Sequence, residues 1–370
     1  MVEWIECKIS DIGTVVGGAT PSTKKVENYE EGNIAWITPK DLSTFRGRYI
    51  QRGERNITEI GLKSCSTQLL PQNTVLFSSR APIGYVAIAA NEVCTNQGFK
   101  SVIPNEDTDP LFLFYLLKYN KDKIEGMGSG TTFKEVSGNT MKNIVVKIPS
   151  NREIQKKIAS VLDTIDNKIE ENERINNNLE QQAQAIYQDM FVTGAKPSWQ
   201  IGHLSDLIDI KYGKDHKKLA DGIYPVYGSG GIMHYVERPL YGKESVLIPR
   251  KGTLNNVIYV NQPFWSVDTM FYTEMKIPNI AKFIYHFVKS KDLAAMNAGS
   301  AVPSMTTAIL NAMELAIPSP DALSSFENSV APMYAMIQEN IFQSQKLADL
   351  RDTLLPRLMS GELDVSDIDL

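Results

Sequence analysis

Apolar residues after Pro149 recur at spacings that alternate between four and three. This heptad pattern is typical of a long amphipathic helix that packs along a partner helix. It continues for about five repeats, with Asn172 and Asn176 in place of apolar residues near the middle. We predict one helix over residues 151–194, capped by Ser150. About 42 residues at ~1.5 Å each would form a rod on the order of 60 Å long.

A second helix, over residues 320–360, repeats the first at an offset of 168, which is 24 heptads. Its seam also turns polar at the same depth, at Asn340 and Ser344. Polar seam residues cost stability but fix register and partner choice, so each helix is the expected partner of the other. The alternative, in which each helix packs only on its own domain, stays open. The predicted helix-pair seam comprises Ile158, Leu162, Ile165, Ile169, Leu179, Ile186, Val330, Ile337, Leu347, Leu354 and Leu358.

The rest of the chain is also duplicated. Residues 4–18 and 199–213 match at an offset of 195, from a Trp through Ser-Asp to a Gly, and the match then continues at an offset of 171. At that offset Arg80 is equivalent to Lys251. The first copy therefore carries an insertion, which lies within residues 20–70 and is rich in polar and basic residues. Loops tolerate insertion and carry specificity, so we predict two recognition surfaces on one repeated frame.

Short apolar runs within each copy predict a mixed α/β domain with one helix and several strands. The predicted strands are 33–38, 74–78 and 84–89 in the first copy and 223–227, 245–248 and 256–260 in the second; the predicted helices are 110–121 and 280–289. The predicted division of the chain is a first recognition domain (1–150), a central helix (151–194), a second recognition domain (195–319), a C-terminal helix (320–360) and an acidic tail (361–370).

Charge distribution changes the meaning of the net charge of −5. Residues 1–150 hold 17 basic and 16 acidic side chains, residues 197–319 hold 12 and 10, and residues 320–370 hold 3 and 9. The acidity therefore lies in the second helix and the tail. Nearly neutral domains favour DNA binding only if their Lys and Arg side chains cluster on one face.

Motifs of catalysis and of cofactor binding are absent from the sequence. It has no nucleotide-binding loop, no dinucleotide fingerprint and no methyltransferase tetrad, and its four histidines lie apart. Three widely spaced cysteines indicate reduced thiols rather than disulfides or a zinc site. No apolar run is long enough to span a bilayer, and no secretory signal opens the chain. We expect a cytoplasmic, non-catalytic protein without a metal or cofactor.

Several segments in their duplicated order resemble the specificity subunits of type I restriction–modification systems. These are the two domains of differing sequence with their Trp-to-Gly openings, the Phe77–Gly84 segment (FSSRAPIG), the 128–134 loop (GSGTTFK), the Ile-Pro-Ser before each helix, and the 354–363 ending (LLPRLMSGEL). The resemblance covers essentially the whole chain. It implies an α/β (α+β) fold with an internal pseudo-twofold repeat, in which two long antiparallel coiled-coil helices join two target-recognition domains.

The resemblance also implies a function and partners. Each domain would read one half of a bipartite target in double-stranded DNA, and the helices would set the spacing between the halves. The helices would also dock two adenine-N6 methyltransferase subunits, and endonuclease–translocase subunits would join the assembled complex. Two alternatives stay open: a degenerate scaffold that binds partners without reading DNA, and an anti-restriction decoy.

Candidate DNA contacts follow from side-chain chemistry, since Lys, Arg, Ser, Thr, Asn and Tyr bind phosphates or base edges. In the first domain they are Arg46, Arg48, Arg52, Arg80, Thr131, Thr132 and Lys134, and in the second Lys214, Lys217, Lys218, Tyr227, Ser229, Arg250, Lys251 and Asn255. The equivalence of Arg80 and Lys251 favours a shared contact with the DNA backbone. The cluster around Arg46 lies in the insertion and is favoured for half-site-specific contacts.

Overall fold

The computed structural model of the chain describes residues 2–130, 134–296 and 304–366. The chain divides into two compact units, one of Met1–Arg174 with Asn340–Leu370 and one of Ile175–Glu339. Two long helices, α7 (Arg152–Gln188) and α11 (Pro320–Ser360), contribute to both. The units therefore extend beyond the predicted recognition domains, because each also takes in part of each helix.

The first unit is a mixed α/β domain. Its strands are β1 (Trp4–Lys8), β2 (Gly13–Gly17), β3 (Ile34–Ile37), β4 (Tyr49–Ile50), β5 (Arg55–Ile57), β6 (Val75–Ser79), β7 (Ile83–Ala89), β8 (Cys94–Thr95), β9 (Lys100–Pro104) and β10 (Val145–Pro149). Its shorter helices are α1 (Ile9–Ile12), α2 (Pro39–Thr44), α3 (Glu59–Lys63), α4 (Pro110–Tyr119), α5 (Lys121–Gly126) and α6 (Gly138–Lys142). The strands form sheets in the orders β2-β9-β6-β7-β4, β5-β3-β8 and β1-β10.

The second unit repeats this arrangement with fewer elements. Its strands are β11 (Gln200–His203), β12 (Ile208–Tyr212), β13 (Asp221–Gly228), β14 (Gly231–Val236), β15 (Ser245–Pro249), β16 (Ile258–Val260), β17 (Trp265–Ser266), β18 (Met270–Met275) and β19 (Glu314–Ile317). Its shorter helices are α8 (Leu204–Leu207), α9 (Ala281–Lys289) and α10 (Thr307–Asn311). The sheet orders are β12-β18-β15-β16, β14-β13-β17 and β11-β19. The strands and the shorter helices predicted from the sequence are confirmed, with ends shifted by at most two residues, and α11 has the predicted bounds. The helix predicted over 151–194 is α7 followed by a π-helical turn at Asp189–Thr193.

The duplication predicted from the sequence extends to the register of the strands. In the antiparallel ladder that closes each domain, Ile5 lies opposite Ile148 and the equivalent Gln200 lies opposite Ile317. A one-turn helix follows the first strand of each ladder. One acidic side chain caps each of these helices. The Asp11 carboxylate accepts from Lys8 N at 2.8 Å, and the Asp206 carboxylate accepts from His203 N at 2.7 Å. The internal repeat is therefore confirmed at the level of backbone contacts.

The insertion in the first copy forms elements of its own. Helix α2, strands β4 and β5 and helix α3 all lie between β3 and β6, where the second unit has a single hairpin of β13 and β14. Strand β5 pairs with β3 in an antiparallel ladder, as β14 pairs with β13. The insertion thus replaces one arm of the hairpin and adds β4 to the edge of the main sheet, beside β7.

Within the first unit, the two long helices run antiparallel. Asp166 of α7 accepts a bond from Arg351 of α11 at 2.7 Å, and further along α7 the Asn172 side chain donates to Gln343 Oε1 at 2.8 Å. Asn172 is fully buried and also donates to Ser344 Oγ at 3.1 Å. The polar break in the predicted seam is therefore a hydrogen-bonded contact that fixes the register of this part of the pair.

Seven of the predicted seam residues belong to the hydrophobic cores of the two units or pack against them. Ile158, Leu162, Leu354 and Leu358 do so in the first unit, and Ile186, Val330 and Ile337 in the second. Ile165 is buried, and Ile169, Leu179 and Leu347 are half-buried. The expected N-cap is wrong by one residue: Asn151 Oδ1 accepts from Glu153 N at 2.8 Å, while Ser150 bonds to Glu3. Gly194 follows a π-helical turn at the other end of α7.

Each domain docks on the long helices through a buried polar side chain at an equivalent place. Tyr115 of α4 donates to Asp166 of α7 at 2.8 Å. The equivalent His286 of α9 bonds through Nε2 to the Tyr334 hydroxyl of α11 at 2.9 Å and through Nδ1 to Gln184 of α7 at 2.7 Å. We call this contact between the domain helix (α4 or α9) and the long helices the junction of each unit. It lies at the same place in both units, but different side chains form it.

The described part of the acidic tail packs against the first domain. Val365 is 2% exposed within the core, and the Lys157 ammonium donates to the Ser366 carbonyl at 2.6 Å. Gly361 has a φ of +81°, and a Cβ there would lie 2.7 Å from the Trp4 indole. Its backbone conformation and this close approach both favour glycine. Among the helices of the described residues, none is long and apolar enough to cross a membrane.

Candidate nucleic-acid interface

One pair of loops recurs in both units and carries basic side chains. In the first unit, Val136 N donates to the Ser79 carbonyl at 2.9 Å, which joins the end of β6 to the loop before α6. Arg80 lies beside this contact, 3.5 Å from Glu135, and Lys134 is exposed on the same loop. Glu135 also lies 3.4 Å from Lys100. The Glu135 carboxylate therefore lies near two basic side chains, Arg80 and Lys100.

The second unit has the same backbone contact at equivalent residues. Met305 N donates to the Arg250 carbonyl at 2.9 Å, and Lys251 bridges to Ser304 in the neighbouring loop. Lys251 is exposed. Its contact with the DNA backbone, expected from its equivalence to Arg80, stays a prediction. The Arg250 guanidinium lies over the Tyr212 ring at 5.8 Å. The frame of this site is thus shared between the units, and its side chains differ.

The tip of the β13–β14 hairpin joins this cluster. The Ser229 carbonyl accepts from Asn256 Nδ2 at 2.8 Å. Gly252 has a φ of +85°, and a Cβ there would lie 2.5 Å from Ser229 Oγ, so the hairpin tip sits directly on the loop that follows Arg250. Three candidate residues, Ser229, Arg250 and Lys251, are thereby brought together.

Two candidates in the second unit serve the structure instead. Tyr227 is buried in the core below the hairpin. Asn255 donates to Asp292 at 3.1 Å and accepts from Ala294 N at 3.0 Å, which ties two loops together. Its hydrogen bond to the Asp292 carboxylate, with two from backbone N–H groups, holds the pKa of Asp292 below its ordinary value. Burial therefore removes Tyr227 from the surface, whereas Asn255 is exposed with both ends of its amide already hydrogen-bonded.

Three exposed lysines follow β12: Lys214, Lys217 and Lys218. The backbone of Lys214 is fixed, because its carbonyl accepts from the Trp265 indole at 2.9 Å. Further along the segment, His216 Nδ1 and His234 Nε2 lie 3.1 Å apart, a hydrogen bond that holds this segment to β14. The lysines are therefore presented on an anchored segment of the second unit.

The insertion cluster of the first unit divides in two. Arg46 and Arg52 are exposed. Arg48, however, is 5% exposed, and its guanidinium donates to Asp163 at 2.5 Å and lies 3.2 Å from Glu170, both on α7. A buried guanidinium with two carboxylate partners is not available to DNA, so Arg48 holds the insertion to the helix instead. Thr131 and Thr132 lie outside the described residues.

Tyr212 is a residue of this surface that the sequence reasoning missed. Its side chain is 52% exposed, and it occupies the place of Gly17 in the repeat. The substitution of an aromatic residue for glycine at equivalent positions was the available signal. Among the described residues, no group of three His, Cys, Asp or Glu side chains is arranged to hold a metal ion.

Comparison with known proteins gives consistent matches. The family described as "Type I restriction modification DNA specificity domain" matches residues 1–181 and 197–342. The chain is 32% identical to the type I restriction enzyme MjaIX specificity subunit of Methanocaldococcus jannaschii, over 99% of this chain and 95% of that protein. It is 30% identical to the EcoR124I/EcoR124II specificity subunit of Escherichia coli, over 53% of this chain and 49% of that protein. The crystal structure of the type I S subunit from M. genitalium shares the fold, with a TM-score of 0.59 at 19% identity, covering 97% of this chain and 96% of that one.

Proposed function

We propose that this chain, which belongs to the type I restriction–modification DNA specificity family, selects the DNA target for such a complex without itself catalysing a reaction. Each recognition domain reads one half of a bipartite site in double-stranded DNA. The helix pair sets the spacing between the half-sites and docks two adenine-N6 methyltransferase subunits. Endonuclease–translocase subunits join through the assembled complex, which acts in the cytoplasm. The division into domains 1–150 and 195–319, helices 151–194 and 320–360, and tail 361–370 is part of this proposal.

The observation that carries the proposal is the recurrence of one loop pair with basic side chains in both domains. Arg80 follows β6 and Arg250 and Lys251 follow β15, with Lys134 on the neighbouring loop of the first domain, and equivalent backbone bonds hold the two loop pairs. Lys and Arg side chains neutralise phosphates and supply most of the affinity for DNA, whereas differing neighbours read the bases. A shared frame with different side chains is what reading two different half-sites with one fold requires.

The helices support the spacing role through their length and fixed register. Helix α7 has 37 residues, which at ~1.5 Å each make about 55 Å. Half-sites read from one side of a duplex lie about 34–36 Å apart per helical turn, a separation within the reach of such a rod. The buried Asn172 contact to Gln343 supplies the register that a spacer needs.

Methyltransferase docking is supported by apolar side chains that α11 leaves exposed. Ile341, Phe342 and Leu350 are about half exposed. Lys346 lies over the Phe342 ring at 4.0 Å, so its charge stands beside this patch. An interface core of this kind is enriched in aromatic residues and surrounded by polar ones. Because the family assembles into multisubunit complexes, we assign the patch to the methyltransferase.

Adenine-methylation mapping of the host genome, with and without the gene, tests the proposal. We expect one bipartite motif to lose its methylation when the gene is removed, which would give both half-sites and the spacer length. Unchanged methylation at every motif, together with failure of the chain to co-purify with its methyltransferase, would contradict the proposal.

The spacing role has a separate test. One heptad inserted after Asn172, matched by one inserted after Phe342, keeps the seam in phase and lengthens both helices on the same side of the Asn172–Gln343 contact. It adds about 10 Å, and we expect the preferred spacer in the methylated motif to lengthen with the same half-sites. Insertion in α7 alone is the control and should abolish methylation, since the seam is then mismatched. Retention of the original spacer by the double insertion would mean that the helices do not measure distance.

A further inference from the structure

The second domain carries an Arg–Tyr cation–π pair beside the proposed phosphate contact. The Arg250 guanidinium lies over the Tyr212 ring at 5.8 Å. Both residues end strands of the same sheet, Tyr212 on β12 and Arg250 just after β15. Lys251, the proposed backbone contact, is the next residue along the chain. A cation–π contact of this kind attracts the guanidinium to the ring and so restricts where the Arg250 side chain can lie.

The first domain has no such pair at the equivalent places. Tyr212 corresponds to Gly17, and Arg250 corresponds to Ser79. Ser79 is fully buried, and its hydroxyl donates to the Gly98 carbonyl at 3.2 Å. The backbone is nonetheless the same, because Ser79 N donates to Gly98 O at 2.7 Å and Arg250 N donates to Thr269 O at 2.9 Å. The Arg–Tyr pair is therefore an addition to a common frame.

The pair stands on a rigid base. The Tyr212 ring packs edge-on against Phe271 with centroids 5.0 Å apart. The next residue, Gly213, could not be larger, because a Cβ there would lie 2.0 Å from the Val267 carbonyl oxygen. Arg250 is held through its own backbone on two sides, by Thr269 and by Met305. Recognition groups supported in this way lose little freedom when they bind.

Arg250 and Arg80 differ in their acidic partners within the described residues. Arg80 of the first domain lies 3.5 Å from Glu135, but among the described residues no carboxylate forms an ion pair with Arg250. The cation–π contact with Tyr212 involves the ring and not a hydrogen-bond acceptor, so the coplanar N–H donors of the guanidinium are left to meet a ligand. The major-groove edge of guanine offers two acceptors, O6 and N7, that match this fork.

We propose that Arg250, positioned by Tyr212, reads one guanine in the half-site recognised by the second domain. The inference rests on the proposed function and adds a base and a residue to it. A phosphate contact would not need to differ between the two domains, and Lys251 already stands at the place equivalent to Arg80. A residue pair present in one domain alone fits a base that occurs in one half-site alone.

The test is the adenine-methylation motif of cells that produce the full complex with substituted chains. Arg250→Gln removes the cationic fork, and Arg250→Lys keeps the charge but replaces the rigid planar fork with a flexible ammonium group. We expect each to make one G·C pair of one half-site degenerate, with discrimination there falling about 10- to 100-fold. The other half-site and the spacer should stay unchanged. Tyr212→Leu should relax the same base pair less strongly, whereas Tyr212→Phe, which keeps the ring, should preserve the motif.

Lys251→Gln is the matched control, and it should lower methylation at all target sites without changing the motif. The inference is overturned if both Arg250 variants keep the wild-type motif, or if the base pair that becomes degenerate is not G·C. It is also overturned if methylation falls equally at all sites in a variant that melts at the wild-type temperature. If Arg250→Gln fails to fold, the Arg250→Lys and Tyr212→Leu motifs decide. Absence of any gene-dependent bipartite motif with the wild-type chain would instead contradict the proposed function itself.

Discussion

Acidification should loosen the junction of the second unit and leave that of the first unit intact. His286 is 0% exposed, and burial lowers its pKa from its ordinary value to about 4. Gln184 Oε1 can only accept, so Nδ1 carries the proton and Nε2 accepts from the Tyr334 hydroxyl. Burial raises the pKa of Tyr334 and keeps this hydroxyl a neutral donor. The His286 imidazole is therefore neutral in the folded unit, and its two hydrogen bonds depend on that neutral form.

The sign and size of the effect follow from proton linkage. In the unfolded chain His286 titrates near pH 6.5, so below that pH the unfolded state binds a proton that the folded state refuses. The free energy of unfolding should fall by about 2 kcal/mol between pH 7.5 and 5.0, and by about 3 kcal/mol once the pH reaches 4. This contribution is fully present at neutral pH and is lost as the pH falls.

Hydrogen–deuterium exchange followed by mass spectrometry measures this within the intact chain. After correction for the intrinsic pH dependence of exchange, protection of α9 should fall about 30-fold between pH 7.5 and 5.0, the factor that 2 kcal/mol represents. Helix α4, with Tyr115 at the equivalent place, is the internal control. The His286→Gln variant keeps a neutral polar group without a titrating proton, and its α9 should lose the pH dependence. An equal fall in α4 and α9, or the same fall in His286→Gln, would refute the reasoning.

Three further predictions concern surface and junction side chains. Arg80→Ala should weaken binding to all DNA sequences and flatten the salt dependence by about one unit, in gel-shift titrations at several salt concentrations; an unchanged slope would remove Arg80 from the phosphate contacts. Arg48→Met should lower the free energy of unfolding of the first unit by about 2 kcal/mol, because it leaves Asp163 and Glu170 without their cation. The salt slope of DNA binding should stay at the wild-type value. Denaturant titration checks the first result and the same gel shifts check the second. Phe342→Ser should weaken retention of the methyltransferase in co-purification without changing DNA binding, and the equally exposed Ile60→Ser is its control; equal retention by both variants would exclude the α11 patch as the docking site.

The elements of this fold were largely predictable because their signals are local or periodic. The heptad spacing identified both long helices, and the duplicated segments identified which residues of the two domains correspond. The N-cap was missed by one residue because Ser150 and Asn151 can both cap a helix. Only the contact of Ser150 with Glu3, 147 residues away, decides between them.

The candidate site was harder to predict because burial and pairing depend on distant residues. Arg48 belongs to a basic segment like its neighbours, and its partner Asp163 lies 115 residues further along the chain. The acidic tail was expected to be a separate segment, yet Val365 within it is buried. An isolated apolar side chain between acidic ones gives no periodic signal. The spacing of apolar residues therefore could not predict that Val365 packs in the core beside Trp4.

A tryptophan that changes strands between the two domains shows which feature of the frame is kept. In the first domain Trp36 of β3 lies opposite Cys94 of β8, and at the equivalent pair in the second domain Val226 lies opposite Trp265. The indole has moved to the partner strand, yet in each case it donates to the carbonyl of the residue that follows the closing glycine, Ala19 at 3.2 Å and Lys214 at 2.9 Å. Because both arrangements anchor the same loop, the side chains beyond that anchor can differ without moving the frame. We therefore expect a change of DNA target to require substitutions only at the surface beyond this anchor, at positions such as Tyr212 and Arg250.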